Sequence, residues 1–332
     1  FGEFSAGIAR WWWVVELKIS QQNGLIAFDP GSTDFLLEQN PMEFHSEFHR
    51  ICQKIYPQVR SQLPQPGELA MALTSRGHGV ERSFLSNDLA CALSTVFDDL
   101  ADDSSESVNA KIDVDSNLQK QIVAMISETL HGGVGDQLEA YLECFFRIDH
   151  FELMRSRLAP NSGASFLWHR DFDPMAKLHV LIYLTDCDAD SPATLFTNFE
   201  ETRQCAQAGY AFTARSKRIP DLGALFPSDN SPISPVRPAL SAGDATVFAP
   251  SRILHRGDVP GAGVRDLLVL NIVPSLNPWD RELAVFPVAR MFVSRSTLWY
   301  DPFSRYKPAL AGHNEVSAPV WAELAKPGQK LR

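Results

Sequence analysis

Little in the sequence suggests a disulfide-stapled, membrane-spanning or nucleic-acid-binding protein. Five cysteines (Cys52, Cys91, Cys144, Cys187 and Cys205) are scattered through 332 residues with no CxxC pair, so neither a disulfide framework nor a thiolate zinc site is expected. A reducing, cytoplasmic setting is the simpler expectation. The longest apolar run near the start, Trp11 to Val15, is far short of the roughly 20 residues of a spanning helix; no membrane partner is expected. Trp11-Trp12-Trp13 is read as a buried or interface segment, such as a dimer contact, while oligomeric state is not legible. Basic residues are outnumbered, 30 Lys and Arg against 40 Asp and Glu, giving a net charge of -10. That balance argues against a general nucleic-acid or anionic-membrane binder. Internal repeats and Gly/Ser-rich linkers are also missing, so residues 1–332 are expected to form one domain around one core.

What is present changes character along the chain. Asn40-Pro41 followed by Phe44, Phe48, Ile51, Cys52 and Ile55 predicts an amphipathic helix closed by Pro57. A second stripe runs from Leu85 to Leu100, and a third from Leu118 to Leu130, stopped by Gly132-Gly133. Between them, the acidic, serine-rich stretch from Asp98 to Asp115 reads as a solvated loop. Residues 1–143 are therefore expected to be mainly helical. From 144 to 300 short β-type runs take over: Phe145–Met154, Leu178–Thr185, Thr194–Phe199, Ala245–Phe248 and Leu267–Val273. Residues 200–242 read as an insertion within this core, and 301–332 as a C-terminal tail.

The candidate chemistry lies in the β half. A His-x-acid pair occurs four times, at His45/Glu47, His150/Glu152, His169/Asp171 and His313/Glu315. On a helix, as expected for His45, positions i and i+2 point about 200° apart. On a strand they share a face. His313/Glu315 has no strand pattern around it, and nothing downstream pairs with His150/Glu152 at a recognisable spacing. His169/Asp171 stands in an extended segment just before the strand at Leu178. Gly243-Asp244 then leads a short strand to His255, and Arg265 follows ten residues later, the only such offset among the nine histidines. A turn over Val259–Gly263 lets His255 and Arg265 lie on neighbouring antiparallel strands facing one cavity. Two imidazoles and a carboxylate on one face of an Fe(II) ion leave adjacent positions open for 2-oxoglutarate and O2. The far carboxylate of 2-oxoglutarate needs a cation, and the planar fork of Arg265 suits it. Tyr183 and Thr246 are both candidates for a further hydroxyl contact.

Trp168-His-Arg-Asp171, Leu178 to Asp186, and Gly243-Asp to His255 and Arg265 together resemble the phytanoyl-CoA dioxygenase-like branch of the Fe(II)/2-oxoglutarate oxygenases. The resemblance spans roughly Phe151 to Pro274. It implies His169, Asp171 and His255 as metal ligands and catalytic residues, with Arg265 as the 2-oxoglutarate anchor. It also implies an α+β fold: a double-stranded β-helix, a jelly-roll or cupin-like barrel, with N-terminal helices packed around it. Related halogenases replace the carboxylate ligand with a small residue. Asp171 is retained here, so the resemblance favours hydroxylation of a small molecule with release of succinate and CO2.

Two other readings share the metal. A non-catalytic cupin-like ligand binder has no need of Arg265, and a zinc hydrolase would be indifferent to O2 and 2-oxoglutarate. Substrate contacts are expected from Trp168 and from the cationic stretch between Glu201 and Asp221, which carries Arg203, Arg215, Lys217 and Arg218 and no acid. Placed near the barrel mouth, Arg215 and Arg218 would favour an anionic substrate.

Overall fold

The computed structural model describes residues 19–22, 25–28, 41–100, 109–111, 113–157, 164–188, 191–226, 232–258, 264–285, 291–292 and 302. Trp11-Trp12-Trp13, the turn at 259–263, His313, Glu315 and nearly all of the 301–332 tail lie outside them.

A short hairpin, β1 (Ile19–Gln22) and β2 (Leu25–Phe28), precedes the helices. Helix α1 (Pro41–Val59) buries Phe48, Ile51, Cys52, Ile55 and Tyr56, the i, i+3, i+4, i+7, i+8 stripe of one helical face. Pro57 does not close it; the proline sits inside the last turn, where the one hydrogen bond it removes is near the frayed end. Then come α2 (Glu68–Arg76), β3 (His78–Glu81), α3 (Asn87–Leu100), β4 (Asn109–Lys111) and α4 (Ser116–Thr129). The Asp115 carboxylate caps α4 by accepting from the Asn117 and Leu118 amides. At Gly133 the backbone reaches φ +114°, which kinks the chain directly into α5 (Gly135–Leu142) rather than ending the helical region. Strand β4 also corrects the reading of 98–115 as loop throughout, since its residues add an edge strand to the main sheet.

The strands of the second half are β5 (Phe145–Arg157), β6 (Leu178–Tyr183), β7 (Ala193–Phe196), β8 (Ala245–Phe248), β9 (His255–Asp258) and β10 (Val264–Ser275). Helix α6 (Phe199–Gln207) follows β7, and α7 (Trp279–Val285) follows β10. The run at Thr194 stops at Phe196 because Asn198 and Glu201 form a reciprocal capping box that starts α6.

The large sheet has the order β3-β8-β6-β10-β5-β4, all neighbours antiparallel. The small sheet pairs β7 with β9. Bridges from His169 to His255 and from Val236 to Phe196 extend it on both sides. The chain thus passes from β5 in the large sheet to His169 in the small, back to β6, out to β7 and Val236, back to β8, out to β9 and back to β10. This alternation between two antiparallel sheets, with helices on the outside, is the α+β double-stranded β-helix.

Strand alternation decides what each face meets. Val180, Ile182, Val247, Leu268 and Leu270 point outward and join the helices in the larger apolar core. Leu181, Tyr183, Phe248, Leu267 and Val269 point inward and pack with Phe196 and Ile253 between the sheets. No helix among the described residues is long and apolar enough to cross a membrane.

Candidate metal centre

The geometry of the centre comes from one backbone bridge. His169 and His255 exchange both amide hydrogen bonds, 3.0 and 2.9 Å, so they are direct cross-strand partners with side chains on one face. Their ring centroids lie 4.4 Å apart. Asp171 is two residues further along the same extended segment, where its amide donates to the Pro250 carbonyl at 2.9 Å. Its carboxylate therefore returns to the same face, 3.6 Å from His169 Nε2 and 3.9 Å from His255 Nε2.

Neighbours hold both histidine segments. Tyr210 donates from its hydroxyl to the Trp168 carbonyl at 2.6 Å and accepts from the Ile219 amide. The Thr202 hydroxyl accepts from the Leu254 amide at 3.0 Å. Each ring has Nδ1 against the carbonyl two residues back, Leu167 at 2.7 Å for His169 and Ile253 at 3.3 Å for His255. A carbonyl only accepts, so Nδ1 carries the proton and the Nε2 lone pair faces the centre. Burial pushes both imidazoles well below their ordinary pKa, and His255 adds repulsion to His169. They are neutral at neutral pH, as a metal requires.

The donor set fits a metal ion. One ligand atom from each of His169, Asp171 and His255 lies within 4.8 Å of the other two. At metal–ligand lengths near 2.1 Å, ligands at right angles sit about 3 Å apart, a modest side-chain rotation from the separations present. Asp171 is the partly exposed member, so the set is reached by solvent from the Asp171 side. A second grouping, Asp171, Asp173 and His179, also meets the distance criterion. Asp173, however, accepts from the buried Lys177 ammonium at 2.6 Å.

Arg265 projects from β10 toward the small sheet, at the other end of the inner face, and is 5% exposed. Nη1 donates to Thr194 Oγ1 at 2.9 Å and Nη2 to Ser156 Oγ at 3.2 Å, while Nε has no partner. No carboxylate offsets its charge among the described residues. Tyr183 is beside it and Thr246 beside Tyr183: the Tyr183 hydroxyl neighbours Thr194, Thr246 and Arg265, yet neither it nor the Thr246 hydroxyl has an aligned hydrogen bond among the described residues. Burial pushes the Tyr183 phenol up, so it stays a donor. Spacing sets the depth. His255 is opposite Phe196, and Gly257 is opposite Thr194, so Arg265 meets the small sheet two residues, about 7 Å, below His255.

The remaining expected contacts spread out. Trp168 is 2% exposed and packs with Cys205, Tyr210, Leu222 and Leu254; the Arg256 guanidinium lies 5.5 Å from its ring centroid. Arg218 is close enough to Asp171, His169 and His255 for their charges to interact. Arg215 and Lys217 are exposed on a single 3-10 turn, and Arg203 pairs with Glu200 in its own helix. Thr194 and Ser156, the partners of Arg265, carried no sequence signal beyond being small hydroxyl residues in strands. Lys177 is committed to Asp173, and His150 Nε2 lies 3.7 Å from Glu152.

No protein-family model matches the sequence, and no curated protein sequence matches it. Solved structures with a similar arrangement include the non-heme alpha ketoglutarate dependent carbocyclase SnoK from nogalamycin biosynthesis, at 15% identity over 67% of this chain and 92% of that one, with a TM-score of 0.43. HygX from Streptomyces hygroscopicus, solved with nickel and 2-oxoglutarate bound, is 12% identical over 64% of this chain and 89% of its own, with a TM-score of 0.40. A Pseudomonas putida prolyl-4-hydroxylase is 14% identical over 62% and 97%, with a TM-score of 0.34.

Proposed function

We propose that this chain is a non-haem Fe(II)/2-oxoglutarate-dependent oxygenase of the phytanoyl-CoA dioxygenase-like branch that hydroxylates a small molecule. One observation carries the reading: a buried guanidinium without a counter-charge lies one short step below a His, Asp, His set converging on a single point. A lone buried cation costs several kcal/mol unless an anion joins it. A structural arginine would have a carboxylate, as Arg155 has in Asp266 at 2.7 Å on the neighbouring strand.

His169, Asp171 and His255 would hold the iron, and the Nδ1 hydrogen bonds fix which nitrogen each imidazole presents. Iron, 2-oxoglutarate and O2 supply the oxidising power when bound, with succinate and CO2 released. Arg265 would grip the far carboxylate through its two terminal nitrogens, and the Tyr183 and Thr246 hydroxyls supply further donors at that end. The depth between the two levels is comparable to the length of a five-carbon dicarboxylate. Leu181, Phe248, Ile253 and Leu267 form an apolar floor that keeps water from the space between.

The test is an anaerobic titration with Fe(II) and then 2-oxoglutarate, followed by the weak visible charge-transfer band. The band should appear with wild-type protein, lose its 2-oxoglutarate dependence in Arg265→Leu, and vanish in His255→Ala. Metal binding without any response to 2-oxoglutarate would overturn the assignment.

A further inference from the structure

We propose that His179, Asn271 and His150 form a hydrogen-bonding wall for the substrate, and that the group it takes is neutral and carries several hydroxyls, as a sugar or polyol ring does. The assignment of this wall to the substrate rests on the oxygenase reading above.

Strand register puts the three side chains in one row. Asn271 on β10 is opposite His179 on β6 and opposite His150 on β5. All three share the inward alternation of Leu267 and Val269. Neighbouring strands are 4.7–4.9 Å apart, so the row spans about 10 Å, the width of a ring with its substituents.

Among the described residues, each member has a shielded polar atom without a partner: His179 Nε2, Asn271 Oδ1 and His150 Nδ1. Asn271 is 7% exposed and His150 8%. Buried polar groups in folded proteins are almost always paired. A row of three unpaired ones on the inner face of a barrel is costly to the free protein and useful to a ligand with matching donors and acceptors.

The row is also well placed. A ring nitrogen of His179 is within 4.8 Å of an Asp171 carboxylate oxygen. Arg265 is six positions along β10 from Asn271, at the opposite end of the cavity. A group held by the row therefore borders the metal centre on the side away from the 2-oxoglutarate end.

Charge selects the ligand class. Around the row, Lys177 is paired with Asp173, Lys111 with Glu152, and Arg147 with Asp149. Unlike Arg265, none of these cations lacks an acidic partner, so the wall offers hydrogen bonds without a spare charge. β5 also carries a register shift beside Asn271, the kind of bulge that re-aims side chains near functional sites.

The experiment compares wild type with Asn271→Leu and His150→Phe. Binding of methyl glucoside, inorganic phosphate and cyclohexanol is followed by saturation-transfer NMR, on the metal-free chain and on the chain loaded with Mn(II) and 2-oxoglutarate. Methyl glucoside should bind in preference to the other two and lose about tenfold or more in affinity in each variant. Thermal unfolding of metal-free Asn271→Leu should show an unchanged or higher Tm, because an unpaired buried polar atom has been removed, and His150→Phe at most a small fall, because it also gives up the contact with Glu152. Preference for phosphate or cyclohexanol, no methyl glucoside response, an unchanged response in the variants, or a marked fall in Tm in both would each overturn the proposal. The same samples are titrated with 2-oxoglutarate. If wild type ignores it, the oxygenase reading fails, while the glucoside response of the metal-free chain still decides whether the wall binds hydroxylated ligands.

Discussion

Replacing Arg265 with Leu should move two free energies in opposite directions. In the free protein the guanidinium is 5% exposed and, among the described residues, meets only the Thr194 and Ser156 hydroxyls, with Nε unpaired. Exchanging buried charge for apolar volume in such settings is neutral or stabilising by about 1–4 kcal/mol. Metal-free Arg265→Leu should therefore melt at or above the wild-type temperature, by roughly 2 °C for each kcal/mol gained. Binding of 2-oxoglutarate should suffer instead. Loss of a buried charge-assisted contact costs about 2–5 kcal/mol, or roughly 30-fold or more in affinity. Calorimetric titration of the Mn(II)-loaded protein reads the second quantity, and thermal unfolding of the metal-free protein reads the first. Arg155→Leu is the control, because it strands the fully buried Asp266 carboxylate and should cost about 3–5 kcal/mol. The reasoning is refuted if Arg265→Leu loses stability as Arg155→Leu does while 2-oxoglutarate affinity stays within threefold of wild type.

His169→Ala or His255→Ala should abolish stoichiometric Fe(II) or Mn(II) binding with the fold intact, read by metal analysis and circular dichroism; Asp171→Ala should retain metal only weakly and release no succinate. Burial lowers the His78 pKa to about 4. Above pH 6.5 neither state is charged; below it the unfolded chain takes up a proton that the folded chain refuses, so stability falls from pH 6.5 toward 4. His78→Phe, which keeps the stacking on Phe196, should remove roughly 2–3 kcal/mol of that acid loss, and urea midpoints at pH 7 and 4.5 check it. Gly243 has φ +95°, and a Cβ there would meet the Leu85 carbonyl oxygen at 2.3 Å. Gly243→Ala should accordingly cost at least about 1–3 kcal/mol, and an unchanged Tm would reject this account.

The convergence of His169, Asp171 and His255 was partly legible in the sequence because strand geometry is local. His255 and Arg265, expected on neighbouring antiparallel strands, instead lie in facing sheets, β9 beside β7 in the small one and β10 between β6 and β5 in the large one, whereas His169 and Asp171 do share a face, as an extended segment requires. Such rules need no knowledge of the rest of the fold, and they also marked the main strands of the β half. Pairings distant in sequence were not legible. Thr194 and Ser156 reach Arg265 from 71 and 109 residues away, and nothing near either residue announces it. Asn198 and Glu201 did carry a readable capping signal, which would have ended the strand at Phe196. Asn271 was also visible, as the one polar residue of the apolar run from Leu267 to Val273. Only the register with His179 and His150 gives that polarity a purpose.

Arg265 and Asp266 are adjacent in the chain and point to opposite sides of the large sheet. Outside, Asp266 binds the Arg155 guanidinium through both oxygens, at 2.7 and 2.8 Å, and accepts from the Ser94 hydroxyl at 2.8 Å. A slip of β10 by one residue would turn every side chain over. The carboxylate would then face the cavity and the guanidinium would lie against α3, beside Arg155. Both placements bury like or unmatched charge, so the outer ion pair acts as a registration key for the inner cation. Chains carrying Asp266→Asn that still fold would then lose 2-oxoglutarate affinity in proportion to the misregistered fraction, although the altered side chain never enters the barrel.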